Sequence, residues 1–344
     1  MKKYVTIIDI ARKLGISKST VSRALSGSVQ NVSKETLDRV LQEADRMGYT
    51  KNEMAVNLRN RSTRTIGIII PEINTSFYME FFSITQKLLQ AQGYSGILML
   101  SDENSEIERA NFEILNRCRV DGILISVCHN KANLDLYKRC LKNTPIVFFD
   151  RTIADLDCSS VHYDDYLSAF FMVEHLVYGS RKKILYLSGP DYVRNTSDRL
   201  HAYKDVLKKH RIPYDPSLVL KAGLEKEDGM QAMKQVLADG LSFNAVFCFT
   251  EMLALGAKIA LQEHRVRIPE DVAIACMSGT RLSTLVHPAI TAVEQPVACI
   301  AEESVRLLLN KIERPDTPNE QVLLEASLVI RQSSQFDSPD PENV

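Results

Sequence analysis

The sequence predicts a small all-α head followed by a larger α/β body of two similar lobes built on parallel sheets. Three observations carry that prediction. Residues 5–48 hold three short runs whose apolar positions recur at helical spacing. From residue 64 onward, two successive series of apolar, β-branched-rich runs alternate with amphipathic stretches. Charge divides along the same line: residues 1–64 hold 13 Lys+Arg against 6 Asp+Glu, and the other 280 hold 29 against 37. A basic head on an acidic body, within a chain of net charge −1, is expected where only the head meets a polyanion. At 344 residues and 45% hydrophobic, the chain is long enough for two or three domains.

In the head, Thr6 and Asp9 have the spacing of a capping box, and Ile7, Ile10, Ala11 and Leu14 share one helical face. Gly15 follows as a left-handed helix stop. Ser17 is placed to cap a second helix whose buried face is Val21, Ala24 and Leu25. Ser33 is placed to cap a third, with Leu37, Val40, Leu41, Ala44 and Met47 inward and Gly48 at its end. Three short helices, the first two joined by a tight glycine turn, outline a helix-turn-helix over residues 1–49. Residues 50–63 are polar and basic, with Met54, Ala55 and Leu58 at helical spacing. So short a segment is expected to be a linker that becomes a hinge helix only when something holds it.

In the body, "TIGIIIP", "YSGILMLS", "VDGILIS" and "PIVFFD" form the first series of strands. "KKILYLSG", "SLVLKAG", "NAVFCFT" and "DVAIACMS" form the second. Ligands of such sheets bind beyond the carboxyl ends of the strands, so the polar residues that follow each run, such as Asp150 and Arg151, are expected in a cleft. The last eight residues, "DSPDPENV", are expected to be a disordered tail, leaving 64–336 as the body.

Several function classes are opposed by the sequence. There is no GxGxxG after a strand, no GxxxxGKS/T, no HExxH and no GxSxG, so an enzyme is not expected and no catalytic residue is assigned. The seven histidines show no paired spacing and the seven cysteines no CxxC, so neither metal nor cofactor is expected and the thiols read as reduced. The amino terminus loses its apolar character at Asp9, unlike a signal peptide, and no run approaches a membrane span. A cytoplasmic, nucleoid-associated protein is the expectation. The head argues for binding instead. With Val21, Ala24 and Leu25 buried, Lys18, Ser19, Ser22 and Arg23 face outward on the helix that enters the major groove in this motif. Arg grips guanine O6 and N7 with two hydrogen bonds, and the helix start with Ser17 suits phosphate.

The run "VTIIDIARKLGISKSTVSRALSG…VSKETLDRVLQEADRMGYTKNEMAVNLR" resembles the head of the lactose-repressor (LacI) family of bacterial transcription regulators. The likeness extends over residues 4–333 through "RVDGILI", "PIVFFDR", "DRLHAYKDVL", "AVFCFTEMLALGAKIAL", "RIPEDVAI" and "PAITAVEQP". It implies a body like that of periplasmic sugar-binding proteins. The N-lobe would take about 64–165 and 297–324, and the C-lobe about 166–296 and 325–336. It also implies a homodimer on double-stranded operator DNA, controlled by a sugar-like effector in the cleft. No leucine heptad follows at the carboxyl end to build a tetramer. By position, Lys18, Ser19 and Arg23 match base readers, and Thr6, Ser17, Thr20, Ser22 and Asn31 match phosphate and groove-edge contacts. Asn52 matches a phosphate contact, Leu58 the leucine that wedges between base pairs, and Arg59 a basic residue beside it. Tyr78, Asp150, Arg151, Arg199 and Gln295 match effector contacts, with Tyr78 expected to stack on the ligand. The chain departs from the family at three places. Lys51 stands where proline is common, Thr250 and Glu251 stand where Asn and Asp face the ligand, and Ser278 replaces an aspartate that holds sugar hydroxyls. Thr250 and Ser278 are therefore expected in the cleft, with its charge altered, which leaves open a weaker or different sugar or an acidic effector tolerated because one carboxylate is gone.

Overall fold

The computed structural model describes residues 5–25, 32–49, 62–73, 76–129, 131–153 and 156–336. Its contacts divide the chain into two compact units, Met1–Thr63 and Arg64–Val344.

The first unit contains α1 (Ile7–Leu14), α2 (Lys18–Leu25) and α3 (Lys34–Arg46). Local chemistry starts and stops each one. The Asp9 amide donates to Thr6 Oγ1 at 3.3 Å as well as to the Thr6 carbonyl oxygen at 3.0 Å, while the Thr6 amide donates to Asp9 Oδ2 at 3.0 Å, which closes a capping box. Gly15 closes α1 at φ 65°, where a Cβ would be strained. Ser17 Oγ accepts from the Thr20 amide at 3.1 Å, and Ser33 Oγ from the Thr36 amide at 3.3 Å. Ile10, Ala11, Val21, Ala24, Val40 and Ala44 form the buried centre. Leu41, expected inward, is 48% exposed: Val40 and Ala44 define the buried stripe, and the next position has turned away from it.

The second unit begins with β1 (Thr65–Ile70), α4 (Ser76–Ala91), β2 (Ser95–Leu100), α5 (Ser105–Arg117), β3 (Gly122–Ile125), α6 (Leu134–Cys140), β4 (Ile146–Phe149) and β5 (Ser159–Tyr163). The chain then crosses to a second lobe: α7 (Asp165–Tyr178), β6 (Ile184–Ser188), α8 (Asn195–Lys209), β7 (Val219–Lys221), α9 (Lys226–Ala238), β8 (Ala245–Cys248), α10 (Glu251–Glu263), β9 (Ala273–Gly279), α11 (Leu282–Leu285) and β10 (Thr291–Glu294). It returns for α12 (Val297–Glu313) and β11 (Gln321–Leu324), and crosses again for β12 (Ser327–Val329). The sheets have orders β2-β1-β3-β4-β5-β11 and β7-β6-β8-β9-β10-β12, so one topology occurs twice. Every ladder is parallel except β12 against β10.

Parallel strands buried on both faces must be apolar at odd and even positions alike, and β1 shows how that works. Ile66, Ile68 and Ile70 pack on one side of the first sheet with Phe81 of α4 and Leu308 of α12. Ile69 points to the other side, with Phe112 of α5 and Tyr137 of α6. Four strands escaped the sequence reading. "SSVHY" of β5 has no continuous apolar run, and β10, β11 and β12 have at most four residues each. Among the described residues no helix is long and apolar enough to cross a membrane. Five cysteines are buried, Cys118 and Cys299 are exposed, and all seven are free thiols.

Helices α9 and α10 touch backbone to backbone. A methyl group built on Gly256 would overlap the Lys226 carbonyl oxygen, and one on Gly229 would overlap that of Leu253. Backbone cannot retreat as a side-chain tip can. Gly256→Ala is therefore expected to lower the stability of the body by about 1–3 kcal/mol through overpacking, read as a lower urea midpoint. An unchanged midpoint would mean that the two helices separate freely.

Candidate nucleic-acid interface and effector cleft

In the head, α2 carries the residues singled out from sequence. Val21 and Ala24 are buried, so Lys18, Ser19 and Arg23 are turned to solvent while Thr20 and Ser22 are half-buried. Thr6 and Ser17 are exposed at the starts of α1 and α2. Ser17 Oγ lies 2.7 Å from Ser19 Oγ and 2.8 Å from Thr20 Oγ1, which gathers three hydroxyls at the positive end of the α2 dipole. That grouping of hydroxyl donors suits an anionic oxygen. Asn31, Asn52, Leu58 and Arg59 lie outside the described residues.

In the body, Tyr78, Asp150, Arg151, Arg199, Thr250, Ser278 and Gln295 all line one cavity of ≈ 60 Å³ between the lobes. The sheets explain the gathering: Asp150 follows β4, Thr250 follows β8, Ser278 is the last residue but one of β9 and Gln295 follows β10. Asp150 and Ser278 occupy equivalent places, each at the end of the fourth strand of its lobe. Both hold left-handed backbone, at φ 56° and 57°. Two non-glycine residues in that region at matching strand ends are a strain that functional sites characteristically store.

Most of these side chains are tied down. The Tyr78 hydroxyl donates to Asp150 Oδ2 at 2.7 Å, and the Ser126 hydroxyl to the same oxygen at 3.3 Å. Gln295 Nε2 approaches Asp150 Oδ1 at 3.4 Å. Burial pushes the Asp150 carboxyl above the usual carboxylate range, and Arg151 and Tyr78 oppose the shift. The Tyr78 ring is 3% exposed and edge-on to Phe77 and Phe149, so it orients Asp150 and offers no open face for a ligand to stack on. Arg151 bonds Glu103 at 2.8 Å rather than its neighbour Asp150.

Arg199 is 3% exposed. It donates through Nε to Asp165 Oδ1 at 2.8 Å and through Nη2 to the same oxygen at 2.6 Å. Nη2 also donates to the Tyr163 hydroxyl at 2.7 Å, and Nη1 to the Phe249 carbonyl oxygen at 2.5 Å. Its guanidinium carbon lies 4.3 Å from the centre of the Phe249 ring. Burial disfavours this cation, and Tyr163 and Asp165 more than offset that, so the group stays protonated. The Thr250 hydroxyl caps α10 through the Leu253 amide at 3.2 Å. Glu251 was expected to alter the cleft's charge. It does line the cavity, and there its carboxylate accepts from the Thr280 amide at 3.0 Å, Thr280 Oγ1 at 2.6 Å, the Ser283 amide at 2.7 Å and Ser283 Oγ.

The sequence reading missed Ser126, Val193, Asn195 and Phe249. Ser126 follows β3 as Asp150 follows β4, so the strand-end rule applied to every run would have found it. A second cavity of ≈ 180 Å³ shares Asp150 and Asn195 and adds Asp164, Asp198 and Arg194, but holds only Asp150 of the seven. The smaller one is the better candidate because it collects the carboxyl ends of both sheets. Among the described residues no cluster of His, Cys, Asp and Glu is arranged to hold a metal.

Comparison with known proteins gives two family matches. Residues 6–52 match the model of bacterial regulatory proteins of the lacI family, and residues 173–334 match a periplasmic binding protein-like domain. The catabolite control protein A of Priestia megaterium is 29% identical over 331 residues, covering 96% of this chain and 99% of that protein. A solved complex of the transcriptional regulator CelR with cellobiose is 26% identical, with TM-score 0.72 and coverage of 96% and 99%. The lac repressor dimer bound to operator and the anti-inducer ONPF shares the fold at TM-score 0.85 and 23% identity, with coverage of 96% and 99%.

The Arg199–Asp165 pair makes a prediction of its own. Arg199→Ala strands a buried carboxylate and is expected to cost about 3–5 kcal/mol in denaturant unfolding. The double change Arg199→Met with Asp165→Asn removes both charges and should be less destabilised than the single change. A double variant no more stable than Arg199→Ala would show that packing, not the stranded charge, is what was lost.

Proposed function

The chain belongs to the LacI family of bacterial regulatory proteins, and on that premise we propose how its parts divide the work. The protein is a DNA-binding transcriptional regulator whose affinity for its operator answers to a small molecule. In the proposed cycle α2 lies in the major groove. Arg23, Lys18 and Ser19 read base edges, while Thr6, Ser17, Thr20, Ser22 and Asn31 meet phosphates and the groove edge. Asn52 adds a phosphate contact, Leu58 wedges into the minor groove, and Arg59 sits beside it. The observation that carries this reading is the division of α2 into a buried Val21–Ala24 face and an exposed Lys18–Ser19–Arg23 face.

The effector proposed is a saccharide held between the lobes. Asp150, with its Oδ1 only loosely engaged by Gln295, is suited to accept from a sugar hydroxyl. Ser278, in the equivalent place of the other lobe, offers a neutral hydroxyl. A bound effector shifts the protein only if it favours one arrangement of the lobes over the other. No chemical turnover is involved. The shift reaches the head through the start of the body, where the Arg64 amide donates to Asp121 Oδ2 at 3.0 Å and its guanidinium lies 4.9 Å from the Tyr94 ring centre.

A homodimer, in the cytoplasm on nucleoid DNA, completes the proposal. β2 is an edge strand carrying exposed Ile97, and α5 next to it exposes Ile107 and Ile114 two turns apart. Exposed isoleucines beside an open strand edge favour covering by a second copy. Two heads then meet half-sites about one helical turn apart.

Two measurements test the DNA side, with an operator recovered by selection from genomic fragments. Arg23→Ala is expected to weaken operator binding by about 1–3 kcal/mol while random DNA loses much less. Equal losses on both would make Arg23 a phosphate contact. Leu58→Ala is expected to reduce operator bending seen by gel-phasing or energy transfer, and an unchanged bend would remove the wedge from the mechanism.

A further inference from the structure

Residues 190–195 leave the carboxyl end of β6 and lead into α8, both in the second lobe. Their backbone is a tight turn: the Pro190 carbonyl oxygen accepts from the Val193 amide at 3.2 Å and from Thr196 Oγ1 at 2.7 Å. Two side chains of this turn reach the first lobe. Arg194 Nη1 donates to Thr152 Oγ1 at 2.6 Å, two residues beyond Asp150. The Tyr192 ring stacks on the His129 imidazole, with centres 5.6 Å apart and planes inclined by 13°. Val193, between them in the chain, lines the cavity together with Asn195.

The receiving surface is hydrogen-bonded at several points. His129 Nδ1 accepts from the amides of Lys131 at 3.2 Å and Ala132 at 3.3 Å, which fixes the ring. The loop beneath it is held by Glu108 of α5, fully buried, which accepts from the Cys128 amide at 2.8 Å, Asn133 Nδ2 at 3.0 Å and the Tyr137 hydroxyl. The cavity covered by the turn measures ≈ 60 Å³, whereas pockets for small ligands run to about 300–1,000 Å³. A cavity of that size does not hold a saccharide as its walls stand, and moving the lobes apart to make room breaks both contacts of the turn.

We infer that residues 190–194 form a strap that locks the two lobes together over the cleft, Tyr192 on His129 and Arg194 on Thr152, so that effector entry waits on its release. Both contacts are between protein side chains, so each favours the arrangement in which the lobes meet. The population with the strap released then sets the fraction of molecules able to take a ligand, and an effector's apparent affinity falls by that fraction. The strap is thus a part of the regulator that tunes sensitivity without touching the effector. The inference rests on the cleft being the effector site. Its test reads lobe separation directly and needs no effector, so the two readings can fail separately.

Lys131 and Glu227 are exposed on opposite lobes, two residues from His129 and next to Asp228, whose charge acts on Tyr192. Spin or fluorescent labels placed there through unnatural amino acids report the distance across the cleft in the full-length protein. Wild type is expected to show one short distance. Tyr192→Ala and Arg194→Ala are each expected to raise a longer-distance population about tenfold, the scale of one aromatic pair for the first and of one hydrogen bond to a charged group for the second. Thr152→Val, which keeps the side-chain shape, should reproduce Arg194→Ala, and adding it to Arg194→Ala should change nothing further. Tyr192→Phe should leave the short distance in place. Distance distributions of Tyr192→Ala, Arg194→Ala and Thr152→Val that all superimpose on wild type would overturn the strap.

Discussion

The body is organised around a guanidinium that is 3% exposed at the wall of the cleft. A cation as buried as that of Arg199 costs several kcal/mol unless partners replace its hydration, and its partners come from two separate segments. Tyr163 ends β5, Asp165 opens α7, and the Phe249 carbonyl follows β8. Neutralising one charge thereby fixes the first crossover between lobes against the carboxyl edge of the second sheet. The cleft inherits its floor from this arrangement, since Phe249 stacks under the same guanidinium and also lines the cavity. Lysine could not hold this position, because a point charge cannot serve a carboxylate, a hydroxyl and a carbonyl in three directions.

What was legible in the sequence follows from how local each signal is. The capping box of Thr6 and Asp9, the stop at Gly15 and the caps at Ser17 and Ser33 join residues three apart or fewer, so spacing alone reveals them. The strands of the two main series are apolar because both faces of each sheet are covered, and Asp150 stands out as a charge at the end of such a run. β5 was illegible because its stability comes from β4 on one side and β11 on the other, and β11 begins more than 150 residues later in the chain. The direction of a side chain is equally non-local. Nothing near Glu251 in sequence announces that its carboxylate is claimed by residues 280–283. Likewise Arg199 and Asp165 are 34 residues apart, and only the fold makes them a pair. For Asn31, Asn52, Leu58 and Arg59, which lie outside the described residues, the family resemblance alone supports a role.

The pattern of pairing in the cleft also bears on what it can hold. Arg151 is matched by Glu103, Arg199 by Asp165, and Glu251 by the backbone and hydroxyls of the loop after β9. A ligand carrying full charge would have to compete with these partners in a low-dielectric space, where breaking a buried pair is costly. A ligand of hydroxyl groups would compete only with neutral donors, Tyr78, Ser126 and Gln295 on Asp150. It finds Asp150, whose carboxyl is oriented by Tyr78 and Ser126, and across the cleft the hydroxyl of Ser278. An aspartate at position 278 would put a second buried carboxylate opposite Asp150. Serine removes that repulsion while the equivalent left-handed turn is kept at φ 57°. With serine at 278 the cleft carries one carboxylate fewer than it would with aspartate, and under the proposed function neutral hydrogen bonds and the rings of Phe77 and Phe249 are what a saccharide would meet there.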